Sequence, residues 1–473
     1  MKKNPACFLG TKLILPVLAI FFLFSGEGNG IIGRADEPDR SFQIDFTQTA
    51  GPMKPLHGIN NSPITWGEKL PELAEAGIPY VRLHDTAGAF GGTYFVDIPN
   101  IFPNADADAL DPASYDFAFT DAYLKGLAES GVKIFYRLGV TIENHHTIKA
   151  YRIHPPKDLE KFAQICAGIV RHYNEGWADG FHYGIEYWEI WNEPENPPMW
   201  TGTREEYFEM YRVTANYLKE QFPNIKVGGY AGCGFYAVNR PNCNDFFKSF
   251  LTWFDAFLDY VTAEATCAPL DFYSWHLYTD DPEEIILHAN YVDKKLKEHG
   301  LDRTENIFDE WNYMHGGDPD IYDKMKEMPG AAFTVSALCL MQPSPIDKAM
   351  YYDALPQRTY GGLYYFPSGK VTKTYYSLWM FNKLYQLGTS VTVESSGRIK
   401  CYALAAKNSE HAAVLLVNNE SEPKNIALEF VGAHMEDFSI TLLDADHLAE
   451  KATLAVNDSV VVLPPLSVVL LEK

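Results

Sequence analysis

The sequence predicts an α/β protein: a (β/α)8 TIM barrel followed by a C-terminal antiparallel β-sandwich. Three observations lead there. Between residues 56 and 382, eight strand-like runs alternate with amphipathic helical segments. From residue 383 the texture changes to short alternating runs separated by turn-rich breaks such as Ser395-Ser396-Gly397. Several runs in the first part end in charged and aromatic residues, where a barrel carries its chemistry. A doubly wound open sheet is disfavoured, because no glycine-rich phosphate loop follows the first strand.

The N-terminus carries Lys2, Lys3 and Lys12, an apolar run at 13–24, and then Gly33-Arg34-Ala35. Residues 1–35 therefore read as a signal peptide, with a retained membrane anchor as the alternative. The mature protein is expected to be secreted or periplasmic. Residues 36–55 contain a strand at 41–46 that joins the sandwich. Barrel strands fall at 57–60, 80–84, 133–138, 187–192, 226–230, 272–277, 307–310 and 348–352. Amphipathic segments lie between them, at 120–130, 159–173, 205–221, 282–297 and 331–341, with apolar residues at three- and four-residue spacing. Gly131 stops the first, and Thr203 stands at capping distance from Glu206 in the third. Sandwich strands are predicted at 391–394, 399–405, 412–418, 426–430, 439–443, 459–463 and 468–471.

Composition narrows the function. Cleavage at residue 35 would remove Lys2, Lys3, Lys12, Arg34 and Glu27, moving the formal charge from −23 to −26. Such a surface repels polyanions, which argues against nucleic acid. No other stretch is long and apolar enough to cross a membrane. Beyond Cys7, six cysteines are scattered without metal-ligand spacing. Only Cys233 and Cys243 sit close enough to suggest a disulfide. Glu143-Asn144-His145-His146 is a weak metal candidate, and adjacent histidines at a strand exit more often line a cleft. No cofactor and no metal are expected.

Two strings carry the chemistry: Trp188-Glu189-Ile190-Trp191-Asn192-Glu193-Pro194 and Ile307-Phe308-Asp309-Glu310-Trp311-Asn312. Each reads as a strand that presents a glutamate among aromatic residues at its C-terminal end. Two facing carboxyl groups are what glycosidic cleavage needs, one to protonate the leaving oxygen and one to attack the sugar. Arg82 and His84 share one side of the second strand, where Arg82 would keep a neighbouring nucleophile ionised; Asp85 sits at the exit. Glu193, walled by Trp188 or Trp191 and away from cations, is expected to have a raised pKa and serve as acid. His276 and Tyr278 arrive at the end of the sixth strand. Trp200, Trp311, Tyr313, Tyr352 and Tyr360 are candidate sugar platforms, and Glu189 is a candidate inner-layer polar residue.

The string 187–194, with Asn192-Glu193-Pro194, and Glu310-Trp311-Asn312 resemble clan A glycoside hydrolases. Within the clan they resemble glycoside hydrolase family 39, which includes β-xylosidases and α-L-iduronidases. Val81-Arg82-Leu83-His84 and Ser274-Trp275-His276-Leu277-Tyr278 look like that family's second and sixth strands. The resemblance implies a retaining glycosidase with Glu193 as acid/base and Glu310 as nucleophile. It also implies that Asn192 hydrogen-bonds the sugar 2-hydroxyl and that Tyr278 orients the nucleophile. Arg82, His84, His276 and Trp311 would complete the substrate site.

Two departures stand near the pocket. Glu195 follows the Asn-Glu-Pro where the family usually has asparagine, and the loop 86–94 lacks the acidic pattern associated with the family. The reading is an exo-acting β-xylosidase-like enzyme on an oligo- or polysaccharide. The alternatives are an α-L-arabinofuranosidase, an α-L-iduronidase, an endo-glycanase, or a non-catalytic carbohydrate-binding barrel.

Overall fold

The computed structural model describes residues 38–84, 96–141, 154–197, 199–457 and 459–473. The segment read as a signal, Asp85 with the loop 86–94, and the histidine string at 143–146 lie outside the described residues. β1 (Arg40–Pro52) belongs to the second layer. Eight parallel strands then close a barrel in chain order: β2 (Gly58–Asn60), β3 (Tyr80–Leu83), β4 (Lys133–Leu138), β5 (Tyr187–Ile190), β6 (Lys226–Gly232), β7 (Phe272–Thr279), β8 (Glu305–Tyr313) and β9 (Lys348–Tyr351). The ring shuts where Gly58 of β2 lies opposite Met350 of β9.

Side-chain alternation stacks the barrel interior in layers. Tyr80, Phe135, Tyr187, Phe272, Ile307 and Met350 form an apolar cluster of their own, the plug at the N-terminal end. Two residues further along the same strands stand Arg82, Arg137, Glu189, Ser274, Asp309 and Tyr352, all buried. A period of two therefore sets a polar layer directly on an apolar one, and the chemistry lies at the C-terminal mouth above it.

The described helices are α1 (Pro71–Glu75), α2 (Ile98–Ile101), α3 (Ala118–Glu129), α4 (Leu159–Glu175), α5 (Arg204–Gln221), α6 (Asp245–Thr262), α7 (Pro282–Glu298), α8 (Ile321–Lys324), α9 (Met328–Met341) and α10 (Lys373–Tyr385). Thr203 accepts from Glu206 N while the Glu206 side chain accepts from Thr203 N, a capping box that starts α5 and contributes about 1 kcal/mol. α6 and α10 are additions to the helices read from sequence. Both are rich in Phe, Tyr and Trp, which favour strands as readily as helices. α10 also ends three residues beyond the barrel boundary at 382.

The second layer is one continuous hydrogen-bonded sheet that contains β10 (Thr389–Ser396), β11 (Cys401–Lys407), β12 (Ala412–Asn418), β13 (Lys424–Val431), β14 (Ser439–Leu443), β15 (Leu448–Lys451), β16 (Val456–Asn457), β17 (Val460–Leu463) and β18 (Ser467–Glu472) with β1. Its pairs are antiparallel except β1 with β13, which is parallel. β1 arrives from the far end of the chain, so no hairpin dictates its direction. The central strands are buried on both faces. Ala413, Leu415, Val417, Val468 and Leu470 join the barrel core, while Val414, Leu416, Val469 and Leu471 face Phe42, Ile44 and Ile426 inside the sandwich. No described helix is long and apolar enough to cross a membrane.

Candidate active site

β5 ends at Ile190, and the chain then turns through two left-handed residues, Trp191 at φ +75° and Glu193 at φ +46°. Each such conformation costs about 1–3 kcal/mol for a residue with a side chain, and it persists only when its surroundings enforce it. Here both neighbouring strands do so: Trp191 N donates to Leu138 O at 2.8 Å and Glu193 N donates to Ala231 O at 3.0 Å. Alternation already sets Trp188 in the helix layer; the corner sends Trp191 there too, edge-on to Trp200, and delivers Glu193 to the barrel mouth.

β8 reaches its carboxyl groups by a bulge. Trp275 pairs with Phe308 but His276 pairs with Glu310, so Asp309 is the extra residue. Asp309 and Glu310 consequently both lie in the barrel interior, and Trp311 is thrown outward. Trp311 was expected to contact sugar. It is instead fully buried against Phe308, Phe333 and Tyr351, and the bulge is the reason. Trp200 is core as well.

Arg82 organises the buried charges. Its Nη1 donates to Glu310 Oε2 at 3.1 Å and to Asn60 Oδ1 at 2.9 Å, its Nη2 donates to Asn192 Oδ1 at 2.6 Å, and its Nε donates to Glu189 Oε2 at 2.8 Å and lies 3.0 Å from Asp309 Oδ2. One cation faces three carboxyl groups, so one of them keeps its proton. Burial, reinforced by the charges of Glu189 and Glu310, pushes Asp309 well above the ordinary carboxylate range despite Arg82. Burial also raises Glu189, but Arg82 and the hydrogen bond from Asp309 outweigh it and hold Glu189 low. Arg82 itself is held above its ordinary range, since Asp309, Glu189 and Glu310 together overcome the burial that would lower it. Glu189 is thus an inner-layer counter-ion rather than a reacting group.

Glu310 is 2 % exposed and Glu193 8 %. Tyr278 Oη donates to Glu310 Oε1 at 2.7 Å, and His84 Nε2 stands 3.6 Å from Glu310 Oε2. His276 Nδ1 lies 2.8 Å from Glu193 Oε1 and 3.6 Å from Glu310 Oε2, between the two carboxyl groups. Donor atoms of Glu193, His276 and Glu310 all fall within 4.8 Å of one another. The spacing would admit a cation, and it also sets one imidazole nitrogen between two carboxyl groups. Asn192 Nδ2 is buried without a protein partner, a spare donor beside Arg82.

Glu193 departs from the expected electrostatics. Burial raises its pKa, but the His276 hydrogen bond and charge, together with donors from Asn196 and Cys233, bring it below the ordinary value. The sequence places the tryptophans beside Glu193; the fold instead puts a histidine from two strands away there. A further carboxyl group lies close by. Glu195 is buried, its Oε1 accepts from Cys233 N at 2.5 Å, and burial followed by the charge of Glu193 pushes it well above the usual range.

These groups open into a cavity of about 560 Å³ lined by Glu193, Glu310, His276 and Tyr278, with Tyr236, Tyr322, Tyr352 and Tyr360 among its aromatic walls. Thr141 reaches it from the β4 exit, where Asp97 holds both Arg137 and Thr141. Cys233 and Cys243 are free thiols, so the suggested disulfide is absent from the described structure. Asp309, Glu195 and Tyr236 were not singled out as site residues. Asp309 keeps the period of two set by Ile307, and it is Glu310 that only the bulge turns inward. The signal for Glu195 was present, as a carboxyl group replacing an amide two residues after Glu193.

The family model for glycosyl hydrolases family 39 matches residues 34–314. A β-xylosidase from Geobacillus stearothermophilus is 26% identical over 234 residues, 47% of this chain and 40% of that protein. A β-xylosidase from Caldicellulosiruptor saccharolyticus is 28% identical over 216 residues, 44% of this chain and 38% of that protein. The matched region thus spans about two fifths of either relative. Among solved structures, a glucosidase from Croceicoccus marinus superposes with a TM-score of 0.70 at 21% identity, covering 92% of this chain and 99% of the other. A family 39 β-xylosidase from Caulobacter crescentus gives 0.64 at 18% identity, covering 91% and 99%. These likenesses establish the architecture, and the family match runs from β1 to just past the strand that carries Glu310: the chain belongs to glycosyl hydrolases family 39.

Proposed function

We propose that the protein is a retaining, exo-acting β-xylosidase-like glycosidase with Glu310 as nucleophile and Glu193 as acid/base. The observation that carries this reading is the approach of the two carboxyl groups to within 4.8 Å around His276. Retaining enzymes separate them by about 5–5.5 Å, and inverting enzymes leave about 6.5–9.5 Å for a water. In the first half, Glu310 attacks the anomeric carbon, the glycosidic bond breaks, and the Glu193 proton goes to the leaving oxygen. In the second, Glu193 takes a proton from water, whose oxygen attacks the same carbon and releases Glu310. Arg82 and Tyr278 orient Glu310 and hold its charge, while the spare Asn192 Nδ2 is available to the sugar 2-hydroxyl. The pull of His276 favours the ionised Glu193 that the second half needs.

The test is a panel of aryl xyloside, arabinoside, galactoside, glucoside and iduronide, followed by azide rescue on the best substrate. Glu193→Ala should yield a glycosyl azide of retained configuration, and Glu310→Ala, if rescued, one of inverted configuration. Swapped outcomes would reverse the assignment, and no turnover of any aryl glycoside would favour the carbohydrate-binding alternative. Export is part of the proposal, supported by the basic and apolar N-terminal pattern, and N-terminal sequencing of the mature protein tests it.

A further inference from the structure

The cavity has a second half that the two carboxyl groups do not explain. At the start of α6, Phe246, Phe247 and Phe250 all line it, with Phe246–Phe250 and Phe246–Phe247 ring centroids 4.8 and 5.3 Å apart. The Asn244 side chain accepts from Phe247 N and fixes the first turn of the helix. Tyr236 joins this wall by packing edge-on against Phe247 at 5.1 Å. Phe246 is 42% exposed, a large apolar ring kept at the rim of a catalytic cavity.

Position identifies which end of a substrate meets the wall. Glu193 is tied to Ala231 of β6, and the chain runs from there through Cys233 and Gly234 to Tyr236. The phenylalanines thus begin the helix that follows β6, the strand next to the one that carries Glu193, and they share the cavity with Glu193. The atom that Glu193 protonates is the leaving oxygen, so whatever that oxygen carries enters this half.

The wall offers little to a polar leaving group. Tyr236 Oη already bonds the Tyr278 backbone, Asn196 donates to Glu193, and Arg240 and Asn239 are engaged by Glu284. A sugar in a positive subsite would keep several hydroxyls to satisfy, at a cost for each one buried without a partner. A hydrocarbon or aryl group gains by burial alone. Resting on the glycosidase reading above, we propose that the Phe246–Phe247–Phe250 wall is an aglycone site for apolar aryl or alkyl groups, making the enzyme selective for glycosides of hydrophobic alcohols and phenols.

The experiment is a series of n-alkyl β-xylosides from methyl to octyl, whose alcohols differ little in acidity, run beside xylobiose. kcat/KM should rise about tenfold or more from methyl to octyl, carried mainly by KM, since each further buried methylene contributes. In Phe246→Ser, and separately in Phe247→Ser, the octyl-to-methyl ratio should collapse toward one. The ratio is internal to each variant and survives a general loss of activity. A flat alkyl series, or xylobiose preferred over octyl xyloside with the preference lost in Phe246→Ser, would overturn the aglycone assignment and leave the glycosidase reading standing. No turnover of any glycoside would overturn both.

Discussion

In the proposed mechanism His276 sets the pH at which Glu193 can deliver a proton, and replacing it should move one limb of the pH–rate profile in a known direction. In the native site the His276 Nδ1 contact at 2.8 Å opposes burial and holds Glu193 below the ordinary carboxylate value. The acid must be protonated, so the alkaline limb of kcat/KM in the free enzyme lies on the acidic side of neutrality. His276→Leu removes the donor and leaves burial unopposed, so the Glu193 pKa rises and the alkaline limb moves to higher pH. A hydrogen bond to a charged group contributes about 1.5–3 kcal/mol, and one pKa unit corresponds to about 1.36 kcal/mol, which gives a shift of about one to two pH units. His276→Gln restores a neutral donor and should fall between the two. The assay is kcat/KM against pH with an alkyl glycoside, whose poor leaving group makes protonation matter. Because Nδ1 also stands 3.6 Å from Glu310, the fitted values belong to the coupled pair. An alkaline limb that stays in place, or moves to lower pH, would refute the role of His276.

Tyr278→Phe removes the hydrogen bond to Glu310 and should lower kcat/KM about 10- to 100-fold, measured on the sugar that the panel selects. Glu195 is raised well above its ordinary 4.5, so the stability it contributes is complete below that pH and is lost as pH rises toward its folded value. Glu195→Gln, which cannot ionise, should therefore match the native protein in Tm near pH 4 and exceed it at pH 8; equal slopes in denaturation scans would show Glu195 to be ionised when folded. His57, buried between Phe381 and Tyr385, is lowered from 6.5 to about 4, so its contribution is present above pH 6.5 and lost as pH falls to about 4, some 2.5 units or about 3 kcal/mol. His57→Gln should lose less Tm than the native protein across that window. Activity should survive excess chelator, because the proposed mechanism runs on Glu193, His276 and Glu310 alone; loss on chelation with recovery on adding a divalent ion would make the same trio a metal site.

The barrel was legible because its strands are short, apolar and regularly spaced, and because a proline and a glutamate mark the β5 exit. Carboxyl groups at strand ends are likewise a local pattern. What escaped depends on geometry between strands. The bulge in β8 inverts the facing of Glu310 and Trp311, and no period of two foresees it. The partner of Glu193 comes from β7, so its pKa direction could not be read from its own aromatic neighbours. α10 was hidden because it is covered by the barrel on one side and the sandwich on the other, which erases the polar face that normally betrays a helix.

The placement of β1 imposes an order of events on synthesis. Its hydrogen-bonding partners, β10 and β13, begin at Thr389 and Lys424, so β1 is made long before the strands that pair it. While the ribosome completes the eight barrel strands, Phe42, Ile44 and Phe46 lack their native cover on an open strand edge, the kind of surface that recruits other chains. A chain truncated before β10 would emerge with a nearly complete barrel and an adhesive leading edge.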